Sequence, residues 1–150
     1  MDISELLDTF QEEIIDTAVR AMERTHLQHY ERDGMDTTRT RISTLFSLAK
    51  ESVKEKNLSA MVSHAERIAA ERYNAGYDLW EVQTAFNVLE ETLWVSIFKN
   101  CSSGELANAL GLISTVLGAG KDTLARKYVS LATKSKAPSL NLQSLFSGSE

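Results

Sequence analysis

Glu23-Arg24-Thr25-His26 sets a carboxylate and an imidazole three residues apart. In carboxylate-bridged di-iron bundles that spacing puts two metal ligands on one helix face. Such a centre also needs a second Glu-x-x-His and two more inward glutamates, and the chain contains no second copy. His26 and His29 also stand three residues apart, within reach of one ion, but at the polar end of their helix. Both are expected in solvent. A haem pocket would require His64 on an apolar wall. The stripe through Met61, Val62, Ala65 and Ile68 leaves it to one side, as a structural histidine.

Gly118-Ala119-Gly120-Lys121-Asp122-Thr123 brushes against a phosphate loop. That motif demands Gly, four residues, then Gly-Lys-Ser/Thr after a strand. Here Thr115 and Asp122 occupy the required positions and the surroundings read as helix. Cys101 is the lone thiol, and nothing nearby lowers its pKa towards a nucleophilic thiolate. The carboxylates fall on outward positions between apolar ones, which leaves paired acid–base catalysis without support. The expectation is a protein that is not an enzyme and uses no cofactor or metal.

The elements around these residues are helical. Asp2 with Glu5 forms a capping-box-like start. A stripe of Ile3, Leu6, Leu7, Phe10, Ile14 and Ala18 then predicts one helix to about Tyr30, broken by Asp33-Gly34. A second helix runs from about Asp36 to Lys56 with Ile42, Leu45, Phe46, Ala49 and Val53 inward, and Asn57 ends it. The third carries Leu58, Met61, Ala65, Ile68, Ala69, Arg72 and Tyr73, with Gly76 at its left-handed C-terminal cap. Asp78 and Glu81 cap the fourth, whose seam is Leu79, Val82, Phe86, Leu89, Leu93 and Ile97. Its last turns add Trp94, Val95 and Phe98, to be buried in the core or in a partner. Ser102 with Glu105 opens a fifth helix, and its three-four rhythm passes through Gly118 and Gly120 unbroken. That continuity predicts a thin spot where another backbone comes close. Short connections imply antiparallel neighbours. The fold class is therefore all-α, a single antiparallel bundle of about five helices, with a globin-like arrangement compatible. Residues 1–134 form the helical regulatory domain and 135–150 a serine-rich flexible tail holding Leu142, Leu145 and Phe146.

The formal charge is −5, but unevenly spread. Residues 1–36 hold ten acids and three bases, whereas residues 121–150 hold five bases and two acids. The expectation is solvated helix faces, the alternative being that the two ends attract each other or orient a partner. A pI near 5.3 with no basic stripe speaks against nucleic acid. No apolar run approaches the ~20 residues needed to cross a bilayer, so no membrane is expected. One cysteine and no signal-peptide pattern point to the cytoplasm.

The step between the third and fourth predicted helices concentrates Arg72, Tyr73, Tyr77, Asp78 and Trp80. Arg72 either packs its stem with the charge at the surface or holds Asp78, Glu81 or a partner carboxylate. Trp80 follows the cap and is expected to be partly exposed, either filling the core or anchoring an interface.

Residues Ala70 to Gln83 (AERYNAGYDLWEVQ), followed by Phe86, Leu89 and Leu93, resemble the N-terminal domain of the RsbR/RsbD-type co-antagonists of the bacterial general stress response. There an arginine-bearing helix ends in a Gly-aromatic step and an acidic-capped helix follows. The similarity extends over residues 1–134, with about 25 residues carrying its specific part. It implies a sensory or regulatory module, usually dimeric, that reports to a signalling protein. In that family a STAS domain with phosphorylatable Ser or Thr typically follows, whereas here only the serine-rich segment follows Ala132. The module is thus expected to act in trans.

Together these readings give a non-enzymatic regulatory domain that homodimerises and binds a signalling protein. Arg72, Tyr73, Tyr77, Asp78 and Trp80 would make the contact, with Leu142, Leu145 and Phe146 as a secondary docking segment. The competing expectation is a ligand-sensing domain that holds haem, a lipid or a small metabolite within the bundle.

Overall fold

The computed structural model of the chain describes residues 1–136. They form α1 (Ile3–Thr9), α2 (Gln11–Thr25), α3 (Gln28–Asp33), α4 (Met35–Glu55), α5 (Ser59–Asn74), α6 (Leu79–Asn100) and α7 (Ser103–Lys136), with no strand among the described residues. Leu142, Leu145 and Phe146 lie outside them. The all-helical expectation holds, but the count rises from five to seven because the first expected helix is three.

The split follows from the phase of the apolar residues. Ile3, Leu6 and Leu7 are buried in α1, and Ile14, Ile15, Ala18, Val19 and Met22 in α2. At 3.6 residues per turn the two stripes differ in direction by roughly 100°. A straight helix would turn one of them to solvent. Phe10, at φ −105° and ψ 16°, makes the correction without breaking the backbone ladder, since its N–H reaches Leu6 O at 2.9 Å and its own carbonyl accepts from Ile14 N at 2.9 Å. The second break falls at His26, in the left-handed region at φ 53°. Histidine is one of the few side chains enriched there. Leu27 then continues extended and buried, and carries the chain into α3.

α7 packs along α5 and α6, α2 lies against α4 and α6, and α4 also meets α5. Phe46 and Phe86 are the largest side chains wholly inside the core. The thin spot in α7 is real at Gly120, but side chains fill it and not a backbone. A Cβ there would stand 2.6 Å from Phe86 Cε2 and 3.1 Å from Met61 Sδ. Open space surrounds Gly118.

Among the described residues, the acidic start of the chain pairs with α4 and not with α7. Asp8 holds Lys50 at 2.9 Å and Lys54 at 2.7 Å, and Asp16 holds Arg39 at 2.8 Å, all three partners lying on α4. α4 is the element that α1 and α2 pack against, so its bases reach the acids first. In α7, Lys121 lies 2.8 Å from Glu90 and 2.9 Å from Asn87 on α6. That lysine serves a helix contact, consistent with a helical Gly118–Thr123 segment.

Candidate functional site

The α5–α6 joint is built by hydrogen bonds that end one helix and start the next. Gly76 N–H donates to Tyr73 O at 3.1 Å and Tyr77 N–H to Arg72 O at 2.9 Å, with Gly76 at φ +86°. This is the Schellman pairing, and its left-handed residue is the glycine expected there. At the start of α6, Asp78 N–H donates to Glu81 Oε1 at 3.0 Å.

The turn swings Tyr77 into the protein, where it is only 4% exposed. Its hydroxyl accepts from Arg41 Nη1 at 2.6 Å and donates to Asp33 Oδ2, while Arg41 Nη2 reaches the same carboxylate at 3.1 Å. The guanidiniums of Arg41, Arg32 and Arg72 stand 5.3 to 5.8 Å from the ring centre. Such distances allow cation–π attraction. Tyr30 meets the ring edge-on, and the Tyr128 hydroxyl donates to Tyr77 O at 3.0 Å. Burial pushes the Tyr77 phenol above its ordinary pKa, and the Asp33 carboxylate adds to the shift. The hydrogen bond from Tyr77 holds Asp33 below the usual carboxylate range. A phenol and a carboxylate moved apart in this way do not exchange a proton near neutrality, so the cluster acts as a clamp.

Tyr77 therefore does not present its ring to a partner. Tyr73 is half-buried, edge-on to Tyr128 at 5.6 Å. Arg72 holds neither Asp78 nor Glu81. Its side chain is mostly covered and its Nη1 pairs with the neighbouring Glu71 at 3.2 Å. Its guanidinium stands over the Tyr77 ring at 5.8 Å and not on either of those carboxylates. Glu81, offered by the sequence as its partner, is instead 2% exposed and held by His29 Nδ1 at 2.6 Å and His29 N–H at 3.1 Å. Of the five joint residues, Asp78 and Trp80 face solvent, Trp80 at 59%.

His29 corrects the reading of the histidines, and His64 proves more deeply covered than its place beside the stripe implied. His26 is exposed as expected, but His29 is not. His64 is buried at the α4–α5 contact, and its Nδ1 accepts from Arg67 Nη2 at 2.9 Å. Burial, and then the charges of Arg67 and Arg72, push its pKa below the ordinary value. The sequence reading gave Asp33, Arg41 and Tyr30 no part in a site and placed His29 in solvent. One signal was available. Arg41 lies four residues before the inward Leu45, on the flank of the stripe, where a guanidinium is covered only with partners.

Two openings flank this cluster. A cavity of about 290 Å³ between α4, α5 and α6 is lined by Tyr30, Arg41, Arg67 and Arg72 among others. A more open groove of about 710 Å³ runs over α4 and α5 past Arg39 and Ser43. Thr40, Thr44, His64 and Arg67 border both. Among the described residues no group of three or more His, Cys, Asp or Glu is arranged to hold a metal ion. Burial raises the pKa of the Cys101 thiol and so disfavours the thiolate.

On α6, Trp80, Thr84, Asn87, Glu91, Trp94 and Phe98 follow one another at intervals of four and three, so they share a face. Trp94 is 42% and Phe98 60% exposed, and Val95 beside them is also exposed. The widened end of this helix is thus outside the core. No helix among the described residues is long and apolar enough to cross a membrane. The chain matches no family model, no curated protein and no solved structure.

Proposed function

We propose that the chain is a non-enzymatic regulatory and sensory domain of bacterial signalling, of the stress-response type, that works in the cytoplasm by protein–protein contact. It pairs with a second copy of itself and engages a signalling protein. The observation that supports this is the α6 face, where two tryptophans and a phenylalanine stand in solvent in helical register. Rigid aromatic side chains of this kind anchor interfaces at low entropic cost. The joint supports it in a different way from that expected. Tyr77, Arg41 and Asp33 lock α3, α4 and the start of α6 together, and so fix the direction in which Trp80 points. The stress-response assignment rests on the resemblance of residues 70–83.

Sedimentation of the purified chain tests the self-contact. The expected result is a dimer that Trp94→Glu with Phe98→Glu converts to monomer at unchanged helicity. A wild-type chain that stays monomeric at high concentration removes the second copy from the proposal. Trp80→Ala is expected to weaken capture of the signalling partner without lowering the melting temperature. Equal capture would remove the joint.

A second reading, ligand sensing, is favoured by the cavity between α4, α5 and α6. Its volume lies at the lower edge of the roughly 300–1,000 Å³ usual for small-molecule pockets, which suits a small metabolite better than haem or a lipid.

A further inference from the structure

The geometry points to the α4–α5–α6 cavity as a binding site for a small organic carboxylate with an apolar body. The inference rests on the ligand-sensing reading and is independent of the protein-contact reading. Arg41, Arg67 and Arg72 stand in the wall against one carboxylate, Glu71, so three cations face one anion. His64 accepts a hydrogen bond from Arg67 and is neutral in that role. Arg41 spends two donors on Tyr77 and Asp33. Arg72 alone of the three has a buried donor without a partner. Its Nη1 pairs with Glu71, which is well exposed, while its buried Nε–H has no partner. A buried donor left unpaired forfeits its hydration without return. A guanidinium donates two parallel N–H bonds to a carboxylate, a fit that neither a lysine nor a neutral ligand reproduces.

The rest of the wall selects the other end of the ligand. Ile42, Leu45, Ile68, Val82, Ala85 and Phe86 supply an apolar surface continuous with the core. A bare inorganic anion would leave that surface facing water, whereas an aryl or branched alkyl body would cover it. The outer groove gives the path of entry. It carries Arg39 and the hydroxyls of Ser43, Ser47 and Ser63, and it meets the cavity at Thr40, Thr44, His64 and Arg67. Arg39 there is paired with Asp16, and Glu51 stands against Arg67, so the groove supplies a path and not a net charge.

Benzoate and its neutral counterpart benzyl alcohol, titrated into the full chain at fixed ionic strength, test the site by calorimetry and by amide chemical shifts. The expected result is that benzoate binds at least tenfold more tightly, with shifts centred on α4 and α5 around Thr44 and Arg72. Arg72→Met, which keeps the stem, should lose that preference. Thr44→Phe, at an exposed position bordering the cavity, should block both ligands and leaves Arg72 in place if the first variant unfolds. Equal binding of benzoate and benzyl alcohol overturns the anion site but leaves ligand sensing standing. Binding of neither overturns both. Undiminished benzoate affinity in folded Arg72→Met or Thr44→Phe places the ligand elsewhere and overturns the inference.

Discussion

His29 and Glu81, 52 residues apart, meet at 2.6 Å between the start of α3 and the first turn of α6. The same carboxylate also accepts the His29 and Asp78 amides, at 3.1 and 3.0 Å. Burial works to raise the pKa of Glu81, but the hydrogen bonds from Asp78 and His29 outweigh it and hold the group below its ordinary value. One side chain thus caps a helix and ties two distant segments. Glu81→Ala would leave three donors without an acceptor, two of them backbone amides. The expected cost is about 3 kcal/mol, measured as a shift of the urea midpoint. Glu81→Gln keeps one acceptor oxygen and should cost less. A change under about 0.5 kcal/mol for Glu81→Ala, the usual range for a surface substitution, would show that the tie contributes nothing.

Gly120 and Phe86 set the α6–α7 separation. A methyl group on Gly120 would enter the Phe86 ring at 2.6 Å, with Met61 behind it. Gly120→Ala therefore forces a core ring off its rotamer or pushes α7 outwards, against a small gain in helix propensity. The net expectation is a loss of about 1–3 kcal/mol. Phe86→Leu should relieve part of it, so a double-mutant cycle should show strong coupling. Strict additivity would mean that the two residues do not touch as described.

The helical content, the α5–α6 joint and most of the core were legible because each rests on local spacing. Gly76 could be placed from residue type alone, since a left-handed cap selects for it. The division of the first expected helix was less visible. The stripe from Ile3 to Ala18 fits one helix when Ile15 and Val19 are left out, and those two residues carry the change of phase that Phe10 absorbs. The Tyr77 clamp was illegible for another reason. Asp33, Arg41 and Tyr77 come from three segments, and only the packed fold brings one hydroxyl to both charges. The burial of His64 was not legible because helical phase measured against a single stripe ignores a second neighbour, and α4 covers the flank that α5 turns away from α7.

Lys56 ends α4 with φ 51°, and the Asn57 N–H donates to Ser52 O at 3.2 Å. Tyr77 N–H makes the corresponding bond after Gly76, but here Lys56 N–H also goes to Ser52 O and the left-handed residue carries a side chain. A lysine there is strained by about 1 kcal/mol or somewhat more. It is exposed, and no side-chain bond holds it in α4 beyond the backbone closure. Lys56→Gly is therefore expected to raise stability by about 0.5–1 kcal/mol after the entropy of the unfolded glycine is deducted. Gly76→Ala should do the reverse. A thermal melt of the two variants reads both signs, and a destabilised Lys56→Gly would refute the account of that cap.

His64 gives stability a dependence on pH. Arg67 and Arg72 lie near it with Glu71 as the opposing charge, and burial is the largest influence, so its folded pKa is depressed below the ordinary 6.5. The unfolded chain then binds the proton more readily than the folded one. Wherever the unfolded state holds more protons, stability rises with pH. The contribution is complete above about 6.5 and is lost as pH falls from there towards the depressed folded value. His64→Gln removes this titration while keeping a polar side chain beside Arg67. The difference in urea midpoint between wild type and His64→Gln should shrink as pH drops from 7.5 to about 5, with wild type losing more. Parallel profiles would mean that the folded protein protonates His64 as easily as the unfolded chain does, and burial at the α4–α5 contact would then not be what sets its charge.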